Sequence, residues 1–190
     1  PPIKNIELFE NTSVFYSVRD KSKFKDKKIL IVGGGDSALD WVNDLASIAD
    51  VTLMHRRKEF RASPDSVTKM LELEKNNKIK FVYGQLDSLS GNEKNLNAIK
   101  YKHEDEEFSI EVDYLLPFFG LKMELGPIAN WGINLHENLI KVDTEKFETS
   151  VPSIFAIGDI NTYPGKLKLI LSGFHESALM AQKCFAYCYP

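Results

Sequence analysis

Cysteine is scarce in this sequence, which contains two among its 190 residues, Cys184 and Cys188. Two cysteines four residues apart on a predicted helix cannot form the disulfide framework on which many small secreted domains depend. The first residues also lack the charged and apolar pattern of a secretory signal peptide. We therefore expect a protein of the reducing cytoplasm.

Long apolar runs and a large excess of one charge are also missing. No apolar stretch approaches the roughly 18 residues of a membrane-spanning helix, so we expect no membrane partner. The formal net charge is −3, which argues against a strongly basic protein that binds nucleic acid. A chain of this size can bury roughly 70% of its unfolded surface, so we expect it to fold without a structural disulfide or metal.

Apolar residues recur with alternating strand and helix periods from residue 28 onward. The run KILIV (residues 28–32) is continuously apolar, which is typical of a parallel strand covered on both faces. A helix with apolar residues at three- and four-residue steps follows, and then a second strand at residues 51–54. Ser63 and Pro64 predict the start of a second helix, and IKFVYG predicts a third strand. This order predicts a doubly wound parallel sheet.

The pattern changes after the third strand. LDSLS, LNAIKYK and EFSIEV alternate like short antiparallel strands separated by turn signals, which predicts an inserted β-meander. DYLLPFFG is apolar enough to return to the main sheet, with Pro117 at a strand end or edge. Elsewhere we expect a short strand over VFYSV (residues 14–18), another over SIFAIGD (153–159) and a helix near residues 169–187.

Gly33, Gly35 and Ala38 form a G-x-G-x-x-A pattern between the first strand and the first helix. The first glycine allows the sharp turn, the second admits a pyrophosphate to the backbone, and the small third residue lets helix and strand pack closely. Asp36 and Ser37 then lie at the helix N-terminus, whose free N–H groups attract phosphate. The pattern predicts dinucleotide binding in a Rossmann-like α/β fold. The alternative, a tight turn without a ligand, leaves three consecutive glycines unexplained.

The second strand ends in HRRKEFR, about 20 residues after the glycines, where an NAD-specific fold would place Asp or Glu. Here His55, Arg56 and Arg57 stand at this position, and Arg61 follows. Guanidinium groups match the oxygens of a 2′-phosphate in pairs, whereas a carboxylate would repel them. The loop therefore predicts a preference for NADP(H), and the alternative is a solvated basic loop.

Four longer stretches extend this interpretation to a family. GGGDSALDW, HRRKEFRA, FFGLKMELGPIANWG and FAIGDINTYPGKLKLILSGFHESA together resemble the thioredoxin-reductase-like ferredoxin–NADP reductases of bacteria. The resemblance implies a flavoenzyme that uses FAD and NADP(H), exchanges electrons with ferredoxin or flavodoxin, and forms a homodimer when intact. The cofactors of such an enzyme perform the hydride transfer, so we nominate no catalytic acid, base or nucleophile.

The same resemblance implies further cofactor contacts in the last third of the chain. Gly158 and Asp159 would meet the ribityl–pyrophosphate region of FAD, and the backbone at Lys168, Leu169 and Ile170 would approach the flavin ring. Gly120 is a further candidate for cofactor binding, in the segment where the chain returns from the nicotinamide domain.

One part of the family pattern is missing. The chain begins PPIKN and contains a single glycine turn, whereas the family opens with a second such motif that binds FAD. We therefore expect residues 1–18 to be a linker from a missing FAD half, 19–117 to be the NADP(H)-binding domain, and 118–190 to be the C-terminal segment of the FAD-binding domain. FAD is expected to be absent from this fragment, which should be inactive alone.

Two alternative functions remain open. A thioredoxin reductase, or a related flavin disulfide reductase, would carry a C-x-x-C pair ahead of the glycine turn, but the corresponding stretch YSVRDKSKF has no cysteine. A non-catalytic NADP(H)-binding module is the other alternative.

Overall fold

The computed structural model describes residues 3–92, 95–120 and 123–189. The chain divides into two compact units, residues 1–120 and 121–190. The helices and strands of the first unit are β1 (Lys28–Val32), α1 (Asp36–Leu45), β2 (Asp50–His55), α2 (Pro64–Lys75), β3 (Ile79–Tyr83), β4 (Gln85–Asn92), β5 (Asn95–His103), β6 (Glu106–Glu111) and β7 (Tyr114–Pro117). Those of the second unit are β8 (Leu135–His136), β9 (Leu139–Lys141), β10 (Asn161–Thr162) and α3 (Ile170–Cys188).

The first unit is built on a parallel sheet with strand order β3-β2-β1-β7. Ile29 of β1 lies opposite Val51 of β2 on one side and Tyr114 of β7 on the other. Pro117 closes the edge strand β7 opposite Val32, where a missing N–H costs the sheet little. The predicted strand–helix alternation and the return of the chain to this sheet are both confirmed.

The two faces of β1 belong to different layers. Ile29 and Ile31 pack with residues of α1 and α2, whereas Leu30 and Val32 pack with residues of the inserted antiparallel sheet. All four side chains are buried. A strand covered on both faces must be apolar at every position, which explains the unbroken KILIV run. Burial of each such side chain contributes about 1.5–3 kcal/mol.

The inserted sheet has strand order β4-β5-β6 with antiparallel pairing throughout. Along β5, Leu96 and Ile99 are buried, three residues apart because the pairing with β4 shifts register between them. These residues form one core with Leu86, Leu89 and β1. The predicted meander is therefore confirmed, and it forms the second covering layer of the parallel sheet.

Two short strands predicted from the sequence are wrong. Residues 14–18 form no strand, and Val14 makes isolated bridges to Glu10 and Leu115 instead. Residues 153–159 likewise contain a single bridge, from Phe155 to Glu148. In both stretches an irregular backbone carries apolar residues that are buried in, or packed against, a hydrophobic core, so hydrophobicity alone did not distinguish them from strands.

The second unit combines a small three-stranded sheet, β10-β9-β8, with helix α3. Leu125, Ile133, Ile140 and Ala156 form its core. The described residues of α3 contain one buried side chain, and it belongs to the acidic residue Glu176. At its start α3 exposes a run of large apolar side chains: Ile170 (83%), Leu171 (78%) and Phe174 (71%).

A carboxylate fixes the far end of α3 to the body of the second unit. Glu148 accepts hydrogen bonds from the Tyr187 hydroxyl at 2.7 Å and from the Ser153 N–H at 2.8 Å. Lys146 Nζ lies 2.8 Å from its other oxygen. The Lys146 hydrogen bond, with those from Ser153 and Tyr187, lowers the pKa of Glu148 to about 2.

Within the described chain, no helix combines the length and the apolar character needed to cross a bilayer.

Replacing Met70 by alanine should destabilise the first unit strongly. Met70 is the one buried residue of α2 and is packed in the core beneath β1. Its truncation leaves a cavity, and the free energy of unfolding should fall by about 2–5 kcal/mol. The neighbouring Leu71→Ala is the matched control, because Leu71 is 48% exposed. Urea unfolding followed by circular dichroism measures the free energy of unfolding of both variants. Equal losses would contradict the assignment of Met70 to the core.

Candidate functional site

The glycine turn connects β1 to α1, and its first glycine is required by close packing. The Gly33 N–H donates to the Met54 carbonyl at 3.1 Å, which ties the turn to β2. A Cβ atom on Gly33 would stand 2.5 Å from the Phe118 carbonyl oxygen and 2.9 Å from Ala38 Cβ. No side chain fits at this position, so glycine here lets β1, α1 and the segment after β7 approach one another closely.

The next two glycines serve different purposes. A Cβ on Gly34 would stand 2.3 Å from His55 Cε1, so this glycine makes room for the imidazole ring. A Cβ on Gly35 would meet nothing within 4 Å, so the space in front of this residue is open. Packing within the protein therefore accounts for Gly33 and Gly34 without a ligand, and Gly35 is the glycine that leaves room for one.

Helix α1 presents unpaired donors at this open space. Gly35 is its N-cap and has no side chain to accept from the first turn. The Ala38 N–H donates to the Gly35 carbonyl at 3.1 Å, whereas the backbone N–H groups of Asp36 and Ser37 have no acceptor among the described residues. Free N–H groups and the positive end of the helix dipole together attract an anion.

The loop after β2 folds back onto the glycine turn. Its Arg61 N–H donates to the Gly34 carbonyl at 2.7 Å. The Ser63 N–H donates to Asp36 Oδ1, also at 2.7 Å. At the start of the loop, the Gly84 N–H donates to the His55 carbonyl at 3.1 Å. The basic loop is therefore bonded to the sheet at one end and to the glycine turn at the other.

His55 shapes this loop from within. Its ring stacks on Phe60 with centroids 5.2 Å apart, and Nε2 lies 3.2 Å from the Glu59 carbonyl oxygen. Burial lowers the pKa of His55, and the charges of Arg56 and Arg57 lower it further, against the opposing effect of the Glu59 carbonyl. A neutral ring whose Nε2–H donates to Glu59 fits these contacts. His55 thus holds the loop in shape, while the charge lies on the arginines.

Arg56, Arg57 and Arg61 are exposed. Within the described part of the chain, no carboxylate oxygen lies within 4.0 Å of their guanidinium nitrogens. Lysines elsewhere on the same unit do find partners, for example Lys28 with Glu111 at 2.8 Å. Three cations without a counter-ion, on a loop bonded to a helix N-terminus, form a site suited to an anion with more than one phosphate.

The predicted site residues fall into two sets. Those of the glycine turn and the basic loop lie together in the first unit: Gly33, Gly35, Asp36, Ser37, Ala38, His55, Arg56, Arg57 and Arg61. Gly120 is the last residue of that unit and has a φ of +82°, which suits glycine. The remaining predicted residues belong to the second unit: Gly158, Asp159, Lys168, Leu169 and Ile170.

A buried carboxylate organises the predicted residues of the second unit. Glu176 of α3 accepts from the Gly158 N–H at 2.7 Å, from Asn161 Nδ2 at 2.9 Å and from the Tyr163 hydroxyl at 2.8 Å. Lys166 completes the set with an ion pair to the same side chain. Burial alone would raise the pKa of Glu176, but these hydrogen bonds outweigh it, and the pKa lies below its ordinary value. One side chain thus fixes the conformation of residues 158–166.

The segment held by Glu176 leaves backbone accessible beside it. Gly158 has a φ of +75°, and a Cβ there would meet nothing within 4 Å. Asp159 and Lys168 are exposed, and Leu169 is an N-cap whose side chain makes no capping bond to α3. The 19-residue helix α3 therefore begins with backbone N–H groups that no side chain caps.

The sequence reasoning missed Glu176. Its signal is an acidic residue inside an apolar stretch, LILSGFHESALM, where a buried charge requires partners.

Among the described residues, no cluster of three or more His, Cys, Asp or Glu side chains could hold a metal ion.

Replacing Glu176 by glutamine should destabilise the second unit in a pH-dependent way. The buried Lys166 would lose its counter-ion, which costs about 3–5 kcal/mol. Because the folded-state pKa of Glu176 lies below the ordinary 4.5, the stabilisation is complete above that pH and is lost as pH falls below it. The difference between wild type and variant should therefore be large at pH 7 and shrink below pH 4.5 in urea unfolding. Glu145→Gln changes the same charge at an exposed position and is the control. A difference that is independent of pH would contradict the assigned ion pair.

Comparison with known proteins agrees with this geometry. A family model described as pyridine nucleotide-disulphide oxidoreductase matches residues 4–181. Proteins named ferredoxin--NADP reductase from Parvibaculum lavamentivorans and Beijerinckia indica are 60% and 61% identical over all of this chain. The match covers 56% of each relative, so the chain spans about half their length.

Solved structures give the same fold. The thioredoxin reductase of Lactococcus lactis superposes with a TM-score of 0.83 at 26% identity, over 97% of this chain and 61% of that one. The thioredoxin reductase of T. acidophilum superposes with a TM-score of 0.82 at 24% identity, over 99% of this chain and 62% of that one, which shows the fold alone. The predicted α/β fold class and the predicted family resemblance are confirmed, and the chain belongs to the pyridine nucleotide-disulphide oxidoreductase family.

Proposed function

We propose that the first unit binds NADP(H), with the pyrophosphate at the glycine turn and the 2′-phosphate at the loop after β2. The observation that supports this most directly is the set of three exposed arginines without carboxylate partners among the described residues, on a loop hydrogen-bonded to that turn. A solvated basic loop, the alternative, would not need hydrogen bonds to the glycine turn and to the first residue of α1 to hold it in place.

The chemistry of the two phosphate groups fits the two halves of this site. The open space at Gly35 and the free N–H groups of Asp36 and Ser37 suit the pyrophosphate. Arg56 and Arg57 follow β2 directly, where a carboxylate would favour NAD. Hydrogen bonds to charged groups contribute about 1.5–3 kcal/mol each. Two of them would favour NADP over NAD by roughly two to four powers of ten, less the loss to solvent screening.

In a longer protein of which this chain would form part, the proposed activity is that of a flavin-dependent ferredoxin–NADP reductase. Bound FAD would supply the hydride acceptor, and residues 158–159 and 168–170 would hold it through their backbone. The residues of the first unit would bind and orient NADP(H). The proposed partner is ferredoxin or flavodoxin, and the proposed assembly is a cytoplasmic homodimer. These proposals follow from the names of the relatives and from the family resemblance.

A thioredoxin reductase is the weaker candidate, although solved thioredoxin reductases share the fold. A disulfide reductase needs two thiols that can form a disulfide near its flavin. Cys184 and Cys188 are both reduced, and they are spaced four residues apart along α3. Relatives at 60% identity named as ferredoxin reductases also favour the first candidate over a non-catalytic NADP(H)-binding module.

Titration calorimetry of this chain with NADP⁺ and NAD⁺ tests the proposed nucleotide site. Wild type should prefer NADP⁺ by at least tenfold, and an Arg56→Ala, Arg57→Ala double variant should lose that preference. A Lys75→Ala, Lys78→Ala double variant removes the same charge from exposed positions of the same unit and should keep it. A preference that survives in the arginine variant would show that another group recognises the 2′-phosphate.

A further inference from the structure

Asp36 occupies an unexpected position for an acidic residue. It is the first residue of α1, directly after the glycine turn, where the proposed site would receive a pyrophosphate. Its Oδ1 accepts the Ser63 N–H at 2.7 Å, and Ser63 is the N-cap of α2. The carboxylate therefore joins the N-termini of two helices, and the positive ends of both helix dipoles favour its charge.

The bond between Asp36 and Ser63 also closes the basic loop. Arg61 and Ser63 are two residues apart, and both donate their backbone N–H to the glycine turn or the residue that follows it. Between these residues and His55 lie Arg56 and Arg57, which make no ion pair among the described residues. Without the bond to Asp36, the Arg61 bond would be the remaining hydrogen bond from this end of the loop to the glycine turn.

Electrostatics argues against direct contact between Asp36 and the nucleotide. A carboxylate next to a pyrophosphate is repelled by it, so a role as ligand would weaken binding. If Asp36 acts through the loop instead, it strengthens binding, because a loop that is already fixed does not lose conformational freedom when the 2′-phosphate binds. The effects of removing the charge and of removing the acceptor can therefore be separated.

We propose that Asp36 is a positioning residue for NADP(H) specificity, which holds the arginine loop against the glycine turn through the Ser63 N–H. This inference rests on the proposed nucleotide site. Asp36 acts on the 2′-phosphate through Arg56 and Arg57 and leaves the pyrophosphate contacts to the backbone. Its side chain thus contributes to the choice between NADP and NAD without touching either.

Three variants separate this role from its alternatives. Asp36→Ala removes charge and acceptor, whereas Asp36→Asn removes the charge but keeps an oxygen that can accept from Ser63. Asp44→Ala is the matched control, since Asp44 also lies on α1 and forms an ion pair with Lys21, which makes no contact with Ser63. Calorimetric titration of each chain with NADP⁺ and NAD⁺ gives the ratio of the two dissociation constants.

In Asp36→Ala the preference for NADP⁺ should fall about tenfold or more, the size expected for loss of a hydrogen bond to a charged group. Asp36→Asn and Asp44→Ala should retain most of the preference. If Asp36→Ala instead binds NADP⁺ as tightly as wild type, or more tightly, Asp36 acts only as a local negative charge and the inference is wrong.

Hydrogen exchange in the ligand-free chain keeps the test independent of the proposed function. The Ser63 amide should exchange about tenfold faster in Asp36→Ala than in wild type, and the amides of β1 should be unchanged. If wild type shows no preference for NADP⁺, the proposed function fails, and this exchange rate still decides whether Asp36 holds the loop. Unchanged exchange at Ser63 would overturn the inference in either case.

Discussion

The burial of β1 on both faces is the constraint on which the first unit depends. Ile29 and Ile31 pack against the helices, and Leu30 and Val32 pack against the inserted sheet. A shift by one residue would move the exposed Lys28 into a buried position, or move Ile29 out to the exposed position of Lys28. This register fixes where the strand ends and where Gly33 turns. Since β2 pairs in parallel with β1, its last residue His55 reaches the same edge, and the glycine turn and the basic loop meet there.

Hydrogen bonds then convert this meeting point into a site with a defined shape. The backbone of Gly34 and the carboxylate of Asp36 hold the far end of the loop, and the neutral ring of His55 packs over Gly34. The polar groups that shape the site are thus satisfied within the protein. The arginine side chains and the first N–H groups of α1 have no acceptor among the described residues, so they remain available for phosphate oxygens.

The parts that follow from periodicity could be predicted from the sequence. The KILIV run and the Ser63–Pro64 helix start each reflect a local pattern that tertiary packing reinforces. The strands expected at residues 14–18 and 153–159 fail because apolar residues also pack well in irregular loops. The partners of Asp36 and Glu176 could not be predicted, because Ser63 lies 27 residues from Asp36 and no local pattern joins them. The sequence placed His55 in the basic loop but could not show that its ring packs on Phe60 and over Gly34.

The central claim is that the loop after β2 recognises a 2′-phosphate, and phosphorus NMR of NADP⁺ bound to this chain tests it most directly. The free 2′-phosphate monoester has a second pKa of about 6. Guanidinium groups that hold the dianion should lower that pKa in the complex, so the resonance should remain that of the dianion well below pH 6. A 2′-phosphate that titrates as it does in free NADP⁺, while the pyrophosphate resonances shift on binding, would contradict the account.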